Sequence, residues 1–187
     1  MLDLATGTAD LAIAAARAYP DISVTGLDFA APMLAVGERK IRDAELDGRI
    51  DLVEGDAMSL PFADATFDVS AVAFGMRNIP DKVRALREMA RVTVPGGQVM
   101  VLEMTFAPAA AFRPLYGLYL SYLLPRLASL FARNPATYWY LGDSIRHFPT
   151  PAAFGRLMEE AGLTRVTWHR LTFGTACLHI GRPAGGA

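Results

Sequence analysis

The chain has 187 residues, of which 52% are hydrophobic and 20% are charged, and its 18 Lys and Arg residues nearly balance its 19 Asp and Glu residues. A chain of this length buries about 70% of its unfolded surface, so its core needs no disulfide or structural metal. A net charge of −1 provides no extended positive surface and argues against nucleic acid as the main partner. The single cysteine, Cys177, and a start without secretory features predict a cytoplasmic protein with no metal cluster.

Strand-like and helix-like segments alternate along the first half of the chain. Such alternation predicts an α/β fold, in which helices cover both faces of a mostly parallel sheet. The predicted strands are residues 1–5, 22–28, 50–54, 67–74 and 98–105, and the predicted helices are residues 9–19, 31–44 and 81–92. The turn Pro95-Gly96-Gly97 is predicted to end the third helix and to start the fifth strand.

The pattern changes after Thr105. The apolar residues 112–131 are rich in Leu and Tyr and contain two prolines, which predicts a helix with kinked or broken ends. A helix at 151–161 and a hairpin with strands at 166–172 and 175–180 complete the fold. We therefore predict one domain over residues 1–182, with a substrate-covering helical insertion at 105–150 and a frayed tail at 183–187.

The first candidate binding site is the loop after the first strand, which contains Asp3, Ala5, Gly7 and Thr8. Small residues at such a turn let a ligand approach the backbone, and the amides of the next helix offer hydrogen-bond donors. The Gly-x-Gly-x-x-Gly fingerprint of dinucleotide-binding folds is absent here. The alternative is a tight turn with only a structural role.

Acidic residues also stand at the last position of the second strand and just beyond the third. Asp28 can accept hydrogen bonds from the ribose of an adenosine-containing cofactor, or it can instead cap the next helix. Asp56, followed by Ala57 and Met58, can accept from an adenine amino group, or it can be a turn aspartate. Because the carboxyl ends of parallel strands share one edge of the sheet, these residues predict a single crevice for a cofactor of the nicotinamide or the sulfonium kind.

These motifs resemble those of the class I S-adenosylmethionine-dependent methyltransferases. A narrower resemblance, to the ubiquinone/menaquinone biosynthesis C-methyltransferase family, covers residues 2–182. It depends on the run Phe-Gly-Met-Arg-Asn at 74–78, Leu-Glu at 102–103, Leu-Pro-Arg at 124–126 and Tyr-Leu-x-x-Ser-Ile-Arg at 140–146.

The resemblance implies a seven-stranded sheet with an antiparallel last strand and S-adenosyl-L-methionine as the cofactor. It places the Thr8 loop at the methionine part, Asp28 at the ribose, and Asp56 with Ala57 at the adenine. Family members often have Ser where this chain has Ala73, so one hydrogen bond to the cofactor is expected to be missing. The complete expected cofactor-binding set is Asp3, Ala5, Gly7, Thr8, Asp28, Phe29, Asp56, Ala57, Met58 and Ala73.

The implied reaction is methyl transfer to a ring carbon of a reduced prenylated quinone precursor, demethylmenaquinol or a related benzoquinol. Arg77 is expected to stabilise phenolate character and Asn78 to orient the ring, with a loop-anchoring role as the alternative for Arg77. His147 is a candidate proton acceptor. The apolar residues 115–131 suggest a channel for the prenyl tail, or a buried covering helix, and peripheral contact with the inner face of the membrane. A homodimer is also expected to be compatible with this fold.

Three other functions stay open from the sequence. They are a nicotinamide dehydrogenase, a methyltransferase of another small molecule, and a sulfonium-binding module without activity. Family members carry several dozen residues before the first strand, and we hypothesise that Met1 stands at a Val codon taken as the start. On that hypothesis the pocket lacks one wall and turnover is weak, and an upstream in-frame coding sequence is expected.

Overall fold

The computed structural model describes residues 1–105 and 143–185. In these residues seven strands form one sheet in the order β3-β2-β1-β4-β5-β7-β6. The strands are β1 (Leu2–Leu4), β2 (Val24–Asp28), β3 (Ile50–Glu54), β4 (Phe67–Ala73), β5 (Thr93–Met104), β6 (Leu163–Leu171) and β7 (Ala176–Pro183). The helices are α1 (Asp10–Ala18), α2 (Ala31–Asp43), α3 (Lys82–Val92) and α4 (Pro151–Glu160), and residues 143–147 are also helical. Short 3-10 turns lie at Met76–Asn78 and Thr172–Gly174.

The strand directions confirm the predicted fold class. The pairs of β1 with β2 and β4, of β2 with β3 and of β4 with β5 are parallel, whereas β7 is antiparallel to both of its neighbours, β5 and β6. The order changes direction at β1, where β2 lies on one side and β4 on the other. Ligands of open α/β sheets bind beyond the carboxyl ends of the strands at such a point.

The prediction for the start of the fifth strand was wrong. Pro95-Gly96-Gly97 does not separate α3 from the strand; instead it lies inside β5, which begins at Thr93. Between the pairs Phe67–Thr93 and Val69–Gln98, β4 advances two residues while β5 advances five, so the extra residues form a bulge. Gly96 takes a φ of +83° there, which suits a residue without a side chain.

The hairpin strands are longer than predicted. Strand β6 begins at Leu163 rather than at residue 166, because Leu163 is buried and pairs with Pro183. Pro183, which the sequence placed in the tail, is therefore the last residue of β7. A proline is tolerated there because an amide at a strand end need not join the ladder.

Helix α3 shows how the sequence determines the covered face of the sheet. Its buried residues Ala85, Leu86, Met89 and Val92 recur at helical spacing and join the main core. Asp81 caps the helix, since its carboxylate accepts a hydrogen bond from the Arg84 amide at 2.9 Å. Helix α4 begins in the same way, with the Thr150 hydroxyl accepting from Ala153.

A groove of about 640 Å³ lies on the opposite face of the sheet. Its walls are mostly apolar side chains of α1, β4, β5 and β7, among them Leu11, Met100 and Leu178. Such a surface offers few partners for the charged ends of a nucleoside cofactor. None of the three predicted cofactor-binding carboxylates, Asp3, Asp28 and Asp56, lines this groove.

His179 on β7 is fully buried, and we expect it to make stability depend on pH. Its Nε2 lies 3.0 Å from the Pro151 carbonyl oxygen, and burial lowers its pKa from the ordinary value of 6.5. The unfolded chain therefore binds a proton first as the pH falls, so this residue reduces the free energy of unfolding below about pH 6.5. Urea unfolding at pH 7.5 and pH 5.5 measures the effect as a difference between the wild type and His179→Gln.

The comparison with a variant is needed because other groups titrate in the same range. His169→Gln, at an exposed position of β6, is the matched control. We expect the pH dependence of His169→Gln to follow that of the wild type. Equal pH dependence in His179→Gln and the wild type would contradict the prediction.

The predicted apolar helix at 112–131 and the Tyr-Leu-x-x-Ser-Ile-Arg motif up to residue 142 lie outside the described residues. Within the described ranges, no helix has the length and apolar character needed to cross a bilayer. The same ranges contain no group of three or more His, Cys, Asp or Glu side chains arranged to hold a metal ion.

Candidate cofactor and acceptor site

The carboxyl ends of β1, β2, β3 and β4 meet at one edge of the sheet. The Gly7 amide donates to Asp28 Oδ2 at 2.8 Å, which joins the ends of β1 and β2, and the Gly55 amide donates to the Asp28 carbonyl at 3.0 Å, which joins β2 to β3. A Cβ placed on Gly75, after β4, would lie 2.6 Å from the Ala5 Cβ. The structure thus brings the sequence-predicted loops together.

The loop after β1 has an unusual backbone. Ala5, Gly7 and Ala9 all take positive φ values, of 53°, 57° and 63°. This conformation costs free energy for residues other than glycine, and such strain concentrates at ligand sites. Ala9 precedes α1 without a side-chain cap, and the amide of Ala12 in the first turn of α1 is instead bonded to the Asp3 carboxylate.

Asp28 is the central carboxylate of the crevice. It is buried, and it accepts from Gly7 through Oδ2 and from the Ala30 amide through Oδ1 at 2.9 Å. Helix α2 has Ala30 as its N-cap residue without a side-chain cap, so Asp28 joins two loops rather than capping the helix. Each oxygen keeps a second lone pair for a ribose hydroxyl.

Asp3 is the buried middle residue of β1, and its Oδ2 accepts a hydrogen bond of 2.6 Å from the Thr6 hydroxyl. Burial raises the pKa of Asp3 from 3.8 to about 6, hydrogen bonds from Thr6 and the Ala12 backbone oppose the rise, and the nearby charge of Asp28 adds to it. The two buried carboxylates, Asp3 and Asp28, together favour a cationic ligand. A sulfonium group with an ammonium group matches that preference.

Asp56 lies in a turn after β3 and is exposed. Its Oδ1 accepts a hydrogen bond from the Met58 amide at 2.8 Å, which is the turn arrangement that the sequence offered as an alternative. Asp56 also lies just beyond the carboxyl end of β3, on the side of the crevice. Helix α3 holds this turn, because Arg84 Nε donates to the Met58 carbonyl and Glu88 accepts from the Leu60 amide. Ala57 and Met58 pack against the main core.

Three other predicted cofactor residues have different surroundings. The Thr8 hydroxyl donates to Asp10 at 2.7 Å and accepts from Lys40 at 3.1 Å, so in this structure it bonds toward α1 and α2. Phe29 is 79% exposed directly after Asp28, where its ring is available to a ligand. Ala73 is half-buried at the end of β4. Their roles in cofactor binding stay predictions.

Arg77 forms a buried ion pair that the sequence analysis did not anticipate. Its side chain is only 13% exposed, and Nη1 lies 2.5 Å from Oε1 of the fully buried Glu103 on β5. The Arg77 amide donates to the other Glu103 oxygen at 3.0 Å, and Nη1 also donates to the Phe74 carbonyl at 2.7 Å. The guanidinium charge is therefore compensated within the protein.

The remaining candidates lie nearer the surface. Asn78 is exposed at the end of the 3-10 turn, beside Arg77 in the chain. The His147 side chain is 77% exposed and pairs with Asp143 one helical turn earlier, which is an ordinary surface arrangement. The geometry offers no support for His147 as the proton acceptor.

We expect Gly75→Ala to disturb the site by displacing the loop after β1. The new methyl group would lie 2.6 Å from the Ala5 Cβ and 3.2 Å from Val72, so the loop after β1 must move. Overpacking of this kind costs about 1–3 kcal/mol, and the displaced loop should bind S-adenosylhomocysteine at least tenfold more weakly. Calorimetry measures the affinity. Gly48→Ala, where the added Cβ meets no atom within 4 Å, is the control.

The strand order, the small-residue loop after β1 and the carboxylates at three successive strand ends define a class I S-adenosyl-L-methionine-dependent methyltransferase. The chain belongs to the ubiE/COQ5 methyltransferase family, which its residues 1–182 match. The family membership makes S-adenosyl-L-methionine the cofactor and excludes the nicotinamide alternative.

Relatives agree with this family assignment, and a solved structure shares the fold. The chain is 44% identical over 181 residues to a demethylmenaquinone methyltransferase of Bacillus subtilis, covering 96% of this chain and 77% of the relative. It is also 44% identical to the protein of that name from Thermus thermophilus, covering 97% of this chain and 81% of the relative. A methyltransferase from Aquifex aeolicus shares the fold, with a TM-score of 0.66 at 16% identity over 96% of this chain and 79% of that one.

Sequence reasoning missed the residues that hold the site together. Thr6 orients Asp3, Glu88 holds the Asp56 turn, and Glu103 pairs with Arg77. A signal existed for Glu103, since a carboxylate in the otherwise apolar strand β5 needs a buried cation. No comparable signal marks Glu88, which lies on a helix with many charged neighbours.

Proposed function

We propose that this chain methylates a ring carbon of demethylmenaquinol, a reduced prenylated quinol, in menaquinone biosynthesis. The observation that carries the proposal is the 44% identity, across nearly the whole chain, to proteins named demethylmenaquinone methyltransferases. Two features of the site support it: a crevice with two buried carboxylates for a cationic cofactor, and an arginine beside that crevice.

The residues at the strand ends fit S-adenosyl-L-methionine. Asp28 would hold the ribose hydroxyls, Asp56 would accept from the adenine amino group, and an amide in the first turn of α1 would donate to the carboxylate of the methionine part. Asp3, with its raised pKa, is poised to ionise fully when a positive charge arrives. When bound, the cofactor supplies an electrophilic methyl group.

The acceptor chemistry requires positioning and charge stabilisation from the protein. A hydroquinone that loses its hydroxyl proton gains electron density on the neighbouring ring carbon, which would form the new bond to the methyl group while the methyl–sulfur bond breaks and the sulfur keeps the electron pair as a thioether. The same ring carbon would then lose its proton to solvent, which restores the aromatic ring. Arg77 stabilises the developing phenolate oxygen, and Asn78 orients the ring. The prenyl tail partitions into lipid, so we also propose peripheral contact with the inner membrane face by a cytoplasmic protein.

The test is product mass. The 187-residue chain is incubated with methyl-deuterated S-adenosyl-L-methionine and a panel of reduced acceptors, which includes demethylmenaquinol, a prenylated benzoquinol and a naphthol without a tail. We expect one labelled methyl group on demethylmenaquinol. Labelling of a different acceptor would indicate another small-molecule methyltransferase, and cofactor binding without any transfer would indicate a binding module.

A further inference from the structure

Glu103 at the carboxyl end of β5 has no contact with solvent. Its Oε1 accepts from the Met104 amide at 2.8 Å and from Arg77 Nη1, and its Oε2 accepts from the Arg77 amide. A carboxylate enclosed in this way cannot touch a substrate. Any effect of Glu103 on the reaction must therefore act through Arg77.

Two of the three guanidinium nitrogens of Arg77, Nη1 and Nε, have clearly different surroundings. Nη1 uses its two hydrogens on Glu103 and on the Phe74 carbonyl. Nε is buried and has no hydrogen-bond partner among the residues that the structure describes. Because Nε is enclosed as Glu103 is, the guanidinium is held in place by Glu103 and the Phe74 carbonyl and not by a bond at Nε.

The other ionisable groups near Glu103 do not form an ion pair with it in place of Arg77. Lys82 on α3 donates to the Ile79 carbonyl; burial lowers its pKa and the charge of Glu103 opposes that change. Cys177 pairs with Glu103 across β5 and β7 and is buried. In the described part of the chain, Arg77 is thus the cation that Glu103 directly contacts.

We infer that Glu103 is a positioning residue, which fixes the Arg77 guanidinium beyond the end of β4 and compensates its charge. This inference rests on the proposed function, because it takes the acceptor to be a quinol bound beside Arg77. A compensated guanidinium can receive a neutral quinol and still donate to the oxygen as negative charge develops. An uncompensated one would favour the phenolate already in the ground state.

The probe is a nitronaphthol whose phenolate absorbs visible light, titrated in the presence of S-adenosylhomocysteine. In Glu103→Gln we expect the apparent pKa of the bound probe to fall by about one unit relative to the wild type. We also expect kcat to fall at least tenfold, with KM for S-adenosyl-L-methionine changed less than twofold. Ser70→Ala, which removes a buried 2.7 Å hydrogen bond to Thr93 in the same sheet, should change neither.

Glu103→Asp separates position from charge, because it keeps the carboxylate but shortens the side chain by one methylene. We expect its kcat to fall at least tenfold while the probe titrates as in the wild type. Glu103→Asp also tests the inference if Glu103→Gln does not fold. The inference is overturned if the folded variants keep the wild-type kcat, or if the probe bound to Glu103→Gln titrates as it does when bound to the wild type. A wild type that shifts the probe but methylates no quinol would refute the proposed function alone.

Discussion

Replacing Asp28 with Asn should weaken the binding of S-adenosylhomocysteine about a hundredfold. Both carboxylate oxygens already accept backbone amides, Gly7 on one side and Ala30 on the other. An amide side chain has one acceptor atom, so its NH2 group must face one of those donors. Two hydrogen bonds of the charged acceptor to ribose weaken at the same time, and each is worth roughly 1.5–3 kcal/mol.

Calorimetry at constant pH measures this loss directly, and thermal unfolding without ligand confirms that the variant is folded. Asp21→Asn is the matched control, because Asp21 is an exposed carboxylate outside the crevice. Its affinity should equal that of the wild type. If folded Asp28→Asn binds within threefold of the wild type, Asp28 does not hold the ribose and the orientation of the cofactor must be revised.

The order of elements and the strand ends could be predicted from sequence because local signals determine them. The alternation of apolar strands with amphipathic helices identified β1 to β5, and residues 50–54 were predicted with the bounds that β3 has in the structure. Carboxylates directly after strands identified Asp28 and Asp56, since parallel strands bring their carboxyl ends to one edge. These inferences need only the spacing of apolar residues along the chain and the fact that parallel strands end at the same edge of a sheet.

The contacts that orient the site residues could not be predicted, because they join positions far apart in the chain. Arg77 and Glu103 are 26 residues apart and meet only through the pairing of β4 with β5. The turn at Pro95-Gly96-Gly97 was misread for a related reason. Its residues carry a local turn signal, yet the ladder continues around them as a bulge whose presence depends on the partner strand.

Replacing Asp3 with Asn should stabilise the ligand-free protein by about 3 kcal/mol at pH 7. The folded state holds the pKa of Asp3 at about 6, against 3.8 for the unfolded chain. Between these values the folded state binds more protons, so the contribution of Asp3 to stability decreases as the pH rises from 3.8 to 6 and stays low above that. A difference of about two pKa units corresponds to about 3 kcal/mol.

The same substitution should keep both partners of Asp3 satisfied. The Asn oxygen can accept from the Ala12 amide, and the Asn NH2 group can donate to the Thr6 hydroxyl oxygen, because a hydroxyl accepts as well as donates. Urea unfolding at pH 7 and at pH 4 measures the gain, which should be large at pH 7 and small at pH 4. Asp51→Asn, an exposed carboxylate on β3, is the control and should change stability little at either pH. An equal effect of Asp3→Asn at both pH values would contradict the cause given for its raised pKa.

Binding of the cationic cofactor should offset the loss of stability that the ionised Asp3 carboxylate causes in the free protein. A nearby positive charge favours the ionised carboxylate, so at pH 6 the wild type should release about half a proton for each S-adenosyl-L-methionine bound. Calorimetry in buffers of different ionisation enthalpy measures that proton, which should be absent in Asp3→Asn. The variant should also bind the cofactor more weakly while unfolding at higher urea concentration. The carboxylate would then be retained for binding a cation at the expense of stability in the free protein.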